Sequence, residues 1–167
     1  MDFRERYLKS AIIPGKMVHI FKSSIVLPRP IHDVFRFFSD ASNLERITPP
    51  ELCFRILTPT PIPMRENTLI DYRLRLFGIS FSWRARIGRW DPPYRFVDEQ
   101  IQGPYRFWIH THCFFDLDMA TRITDEVHYG IPLWPLGELS FPIIHCLLVR
   151  IFHFRRRAIR SILLGET

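Results

Sequence analysis

Hydrophobic and polar residues alternate through much of the chain, most strictly between Phe96 and Phe114. Two short runs there flank Gln102-Gly103-Pro104-Tyr105. Glycine tolerates unusual dihedrals and proline fixes φ, so the stretch predicts a hairpin. On the second run Trp108, His110, His112 and Phe114 share one face, and Phe107, Ile109, Thr111 and Cys113 share the other. The same period of two recurs over residues 69–77, where Ile70, Tyr72, Leu74 and Leu76 oppose Asp71, Arg73 and Arg75. Gly78 turns the chain into residues 79–90, with Ile79, Phe81, Trp83, Ala85 and Ile87 on one side. Residues 17–27, 52–57, 95–101 and 121–131 complete about seven predicted strands. On the last of them Ile123, Asp125, Val127 and Tyr129 share a face.

Helical spacing replaces alternation in three places. Residues 31–39 follow Pro30 and carry Val34, Phe35 and Phe38 on one side. Residues 40–47 start a second short helix, with Asp40 or Ser42 as N-cap, and Thr48-Pro49-Pro50 stops it. Residues 141–164 predict one long helix with Pro142 in its first turn, where a missing N–H costs little. Its apolar stripe runs through Ile144, Leu147, Leu148, Ile151, Phe154 or Arg155, Ala158, Ile159 and Ile162. The order is therefore a strand, two short helices, six strands and a long helix. A curling antiparallel sheet needs its concave face covered, and the long helix can cover it. That α+β arrangement leaves a cavity between helix and sheet. The proline-rich loop at residues 58–65 is expected at the cavity mouth.

Composition sharpens this picture only in part. At 167 residues the chain predicts one domain with a real core, residues 18–167, preceded by an arm over residues 1–17. Fifteen phenylalanines supply material for both a core and an apolar cavity. The net charge of +6 is concentrated in the first 16 residues and between Arg150 and Arg160. A uniform nucleic-acid surface is not implied, so no nucleic-acid partner is expected. Cys53, Cys113 and Cys146 are odd in number and widely spaced, which predicts free thiols and a cytoplasmic setting. Residues 1–16 lack a continuous apolar run, so no signal peptide is expected. The apolar window at residues 139–154 is broken by His145 and Arg150, so no stable membrane insertion is expected either.

Candidate chemistry gathers on the inward sheet face. Two histidines flanked by large aromatics look like the wall of a lined cavity. The His110-x-His112 spacing sets two imidazoles on one strand face about 7 Å apart at Cα, compatible with a shared metal. A metal would need a third ligand, for which Asp98 and Asp125 on neighbouring strands are candidates. The plainer expectation is that those carboxylates hydrogen-bond the histidines in a satisfied polar patch, with no metal and no cofactor. The same four groups are the candidates for acid–base work, although nothing in the chain supports a covalent nucleophile. Tyr72, Phe81, Trp83, Trp108, Phe114 and Tyr129 are the candidate aromatic lining, each also accountable as core.

In their order these pieces resemble the helix-grip, or SRPBCC, superfamily of START-like and polyketide-cyclase-like proteins, and within it a bacterial ligand-binding subgroup. The resemblance rests on Pro28 with Val34-Phe35, Asn43-Leu44 with Ile47-Thr48-Pro49, Tyr72 with Gly78, and Trp83. It continues through Phe96-Val97-Asp98-Glu99-Gln100, Gly103-Pro104-Tyr105, Trp108, His110-Thr111-His112, Phe114, Asp125, Val127 and Tyr129. It implies a curved sheet wrapped round the final helix and a pocket, with no settled reaction. Ile109 and Cys113 depart from the expected polar outer face, leaving a surface for the arm or a second copy of the chain to cover. The expected function is binding of a small hydrophobic or amphipathic molecule, as a carrier or sensor in preference to an enzyme. Its expected lining is Tyr72, Phe81, Trp83, Asp98, Trp108, His110, His112, Phe114, Asp125 and Tyr129. The alternatives are a cyclase or dehydratase using His and Asp in the same cavity, or a lipid-handling module. The latter would use Arg150, Arg155, Arg156, Arg157 and Arg160 of the final helix.

Overall fold

The structure, a computed structural model, describes residues 17–166. Apart from Met17, the expected arm therefore lies outside the described residues. Seven strands form one antiparallel sheet: β1 (His19–Leu27), β2 (Arg55–Ile56), β3 (Leu69–Leu76), β4 (Ile79–Asp91), β5 (Arg95–Gln102), β6 (Phe107–Asp116) and β7 (Thr121–Gly130). Their spatial order is β1-β7-β6-β5-β4-β3-β2, so β2 to β7 form a meander and β1 returns to pair with β7. Two short helices, α1 (Ile31–Ser39) and α2 (Asn43–Arg46), follow β1, and the long helix α3 (Phe141–Leu164) ends the chain. This is the expected helix-grip architecture.

Alternation sets the sheet's two faces. On β6 the concave face carries His110, His112 and Phe114, all buried, with Trp108 half-buried beside them. Ile109 and Phe107 on the outer face are also buried, in a cluster with Val97 against which Val18 packs. The second strand departs from expectation. Pro50–Leu52 forms a 3-10 turn, Cys53 takes positive φ, and only Arg55 and Ile56 pair with β3. Two irregularities interrupt the pairing of β4 with β5, between Arg84 and Ala85 and between Ile87 and Arg89. At the second, Gly88 is the extra residue, and a Cβ there would stand 3.1 Å from Glu99 Oε1.

The helices close the concave face. Helix α1 buries Ile31, Val34, Phe35 and Phe37 in a cluster with Ile25, Phe96, Phe114, Ile123 and Ile159. Phe35 and Phe38 meet Phe114 edge-on at 5.2 and 5.3 Å. Truncating Phe114 removes that contact centre, so Phe114→Ala is expected to cost about 3–5 kcal/mol in urea denaturation. A cost below about 1 kcal/mol would contradict this packing. Helix α3 starts with Pro142 in its first turn and ends where Gly165, at φ 70°, donates its N–H to Ser161 O. Its fully buried residues are Leu148, Phe152 and Ile159. The inner stripe is thus centred on Leu148 and Phe152 and carries Arg155 inward, one helical turn before Ile159. Together with the turn before it, this helix is long and apolar enough to cross a membrane. In the fold it lies against β1 and the cavity. Cys53 and Cys146 are free, exposed thiols.

Candidate functional site

Between the sheet, α1, α2 and the middle of α3 lies a cavity of about 180 Å³. Most of its wall is apolar, and Ile70, Leu74, Ala85 and Ile87 from β3 and β4 form its floor. Of the expected lining residues, Tyr72, Trp83, Asp98, Trp108, His110 and His112 border it. The other four share the inward face and lie outside the lining. Phe114 is part of the core under α1, and Phe81 is half-buried on β4. Tyr129 is fully buried beside Trp108 and Tyr105, and Asp125 stands behind the histidines. From the proline-rich loop, Met64 reaches the lining.

Strand register assembles the polar end. Asp98 on β5 is paired with His110 on β6, and His112 on β6 is paired with Asp125 on β7. Four residues on three adjacent strands therefore meet at one point of the concave face. His112 Nε2 lies 2.9 Å from Asp98 Oδ2, and His110 Nε2 lies 3.0 Å from Asp125 Oδ1. His112 Nδ1 is also 2.9 Å from Asp125 Oδ1, though without hydrogen-bond alignment. The two imidazole centroids are 3.8 Å apart, and Phe96 stacks on His112 at 4.1 Å.

Burial and pairing compete in this cluster. Burial alone would raise both carboxylates, but His112 on Asp98 and His110 with His112 on Asp125 hold both below the usual range. Burial also opposes charging of the imidazoles. The two carboxylates outweigh it at His112 and raise that ring. At His110 burial and the neighbouring His112 win, and the ring is lowered. His112 is thus the stronger base of the two rings and holds a proton in preference to His110. Beside them Tyr72 is raised well above the phenolic range by burial and then by Asp98.

Two residues of the cavity lining carry a donor without a hydrogen-bond partner. Trp83 Nε1 and Arg155 Nε are buried and make no hydrogen bond among the described residues. Arg155 projects from α3 over the Phe152 ring, 5.0 Å from its centroid, and its charge helps to lower Asp98. The sequence offers Arg155 in two ways, as an alternative to Phe154 in the apolar stripe and as one of five basic residues on the final helix. Its spacing of four from both Ile151 and Ile159 was the available signal. Tyr105 and Phe152 were missed. Tyr105 stands in the β5–β6 turn and meets both Trp83 and Trp108.

Comparison with known proteins agrees with this geometry. Residues 27–143 match the family described as polyketide cyclase / dehydrase and lipid transport. The chain belongs to that family. Among solved structures, the Zhui aromatase/cyclase from Streptomyces superposes with a TM-score of 0.71 at 14% identity, over 90% of this chain and 100% of that one. Protein TTHA0849 from Thermus thermophilus gives 0.66 at 16% identity, over 89% and 100%. Norcoclaurine synthase from Thalictrum flavum, solved with dopamine and hydroxybenzaldehyde, gives 0.65 at 12% identity, over 92% and 90%. At these identities the likeness is one of fold. No functionally curated protein matches the sequence.

Proposed function

We propose that the protein binds a small, mainly apolar molecule in the cavity between sheet and α3, with one oxygen-bearing end at Asp98, His110, His112 and Arg155. The observation that carries this reading is the pair of unpartnered buried donors, Trp83 Nε1 and Arg155 Nε, on residues that line a mainly apolar cavity together with Asp98, His110 and His112. Leaving such donors unmet is costly, and an acceptor on a bound molecule would satisfy them. The apolar wall supplies affinity and the donors supply orientation. A carrier or sensor follows from that division of labour.

Proton transfer on the bound molecule is the second reading. The opposite displacement of His110 and His112 favours it, because one ring is suited to accept a proton and the other to donate. The family description includes cyclases and dehydrases, which supports the same chemistry.

Titration with an apolar fluorophore, followed by displacement with a panel of hydroxy-aromatic and fatty molecules, tests the binding reading. Saturable binding that quenches the cavity tryptophans is expected. Failure of every probe to bind or to move the tryptophan emission would overturn it. Arg155→Leu is expected to weaken oxygen-bearing ligands by about 10- to 100-fold, the worth of one hydrogen bond to a charged group. Binding of a purely hydrocarbon probe should hardly change. Equal losses for both would mean that Arg155 supports only packing.

A further inference from the structure

We propose that Asp98, His110 and His112 form a binding site for a divalent first-row transition-metal ion, open toward the cavity and steadied from behind by Asp125. The argument rests on which nitrogen of each ring faces which carboxylate. His110 directs Nε2 at Asp125 Oδ1, and His112 brings Nδ1 to the same oxygen, at 3.0 and 2.9 Å. Each ring therefore turns its other nitrogen toward Asp98. His112 Nε2 is 2.9 Å and His110 Nδ1 is 3.6 Å from Asp98 Oδ2. One ligand atom from each of the three residues lies within 4.8 Å of the others.

Those separations suit a shared ion. With metal–ligand bonds of about 2.0–2.2 Å, ligand atoms around a tetrahedral centre stand roughly 3.3–3.5 Å apart. The two measured edges at Asp98 bracket that spacing. Metal-bound histidines characteristically donate their outer N–H to a carboxylate, which fixes the tautomer and aims the ring. Asp125 does this for His110 at 3.0 Å and stands 2.9 Å from His112 Nδ1, where a small turn of that ring would align a second bond. It is buried and outside the cavity lining, whereas Asp98, His110 and His112 all border the cavity. The remaining coordination positions would face the cavity and its ligand.

Charge leads to the same assignment. Two carboxylates against the one Arg155 guanidinium leave a net charge of about −1 when both rings are neutral, as metal ligation requires, and a divalent cation offsets it. Nitrogen and oxygen donors with no thiolate suit zinc or ferrous iron, and two histidines with one carboxylate leave positions for a substrate oxygen. The site stands whatever organic molecule occupies the cavity.

The test uses the whole chain. Protein is stripped with a chelator, checked for fold by circular dichroism, and titrated with zinc(II) against a chromophoric chelator. Cobalt(II) provides a second, spectroscopic reading. The expected result is saturable uptake of a single ion per chain and a cobalt spectrum of mixed nitrogen and oxygen ligation. His112→Ala should abolish both. Asp125→Asn keeps an acceptor oxygen behind the rings, and it should weaken zinc by roughly 10- to 100-fold while the fold survives. Folded wild-type protein that takes up no zinc or cobalt would overturn the proposal. So would uptake that is unchanged in His112→Ala, since the ion would then sit elsewhere. Fluorophore binding to the stripped protein is read separately, so the metal claim and the cavity claim can fail independently.

Discussion

Asp125→Ala is expected to destabilise the protein by about 3–5 kcal/mol, the usual cost of breaking a buried charged pair from one side. Asp125 is buried, and its Oδ1 meets both His110 and His112. Removing the carboxylate would leave two imidazoles against an apolar void, with Asp98 as their remaining partner among the four. Domains of this kind have a total stability of about 5–15 kcal/mol, so the loss could take most of it. Asp125→Asn retains an acceptor and should lose distinctly less. Urea denaturation of the two variants beside the wild type separates these outcomes. An Asp125→Ala protein as stable as the wild type would mean that the four groups do not form one buried cluster.

The second large effect is on binding. Ala85 is 3% exposed, lies on β4 between Trp83 and Ile87, and borders the cavity. Ala85→Phe would place a ring in that space. Ligand affinity is expected to fall by on the order of 100-fold or more, because the bound molecule and the ring compete for one volume. Stability should fall by about 1–3 kcal/mol, the usual cost of added volume at a buried position. Fluorophore titration with thermal denaturation checks both halves. Unchanged affinity would put the binding site outside this cavity.

Much of the fold was legible because strands and helices bury surface with different periods. The run from Trp108 to Phe114 could satisfy one buried face only as a strand, and the 141–164 pattern only as a helix. Period alone also brought His110 and His112 to one side. Depth was less legible than direction. Phe114 and Tyr129 share the inward face with the lining residues, but α1 covers one while Tyr105 and Trp108 cover the other. Which residues border a cavity depends on how far the neighbouring elements stand off, and no single strand encodes that.

Arg155 illustrates a different limit. A helix with five arginines between positions 150 and 160 reads most simply as basic and solvated. Its inner stripe turned out to run through Phe152 and Arg155, and the cation faces the cavity because Asp98 and the Phe152 ring lie beneath it. The pairing of Asp98 with His110 and of His112 with Asp125 needed the sheet register as well. Gly88 and the second irregularity shift only the pairing of β4 with β5, and Glu99 fills the place a side chain at Gly88 would take.

The central claim is that the cavity holds one small molecule, and native mass spectrometry of protein purified without detergent tests it most directly. Wild-type protein is expected to carry a single non-covalent organic adduct, lost on denaturation and recoverable for identification. Ala85→Phe prepared in the same way should show the bare chain. Identical adducts on both proteins, or a bare wild-type chain that also refuses every ligand offered to it, would contradict the account.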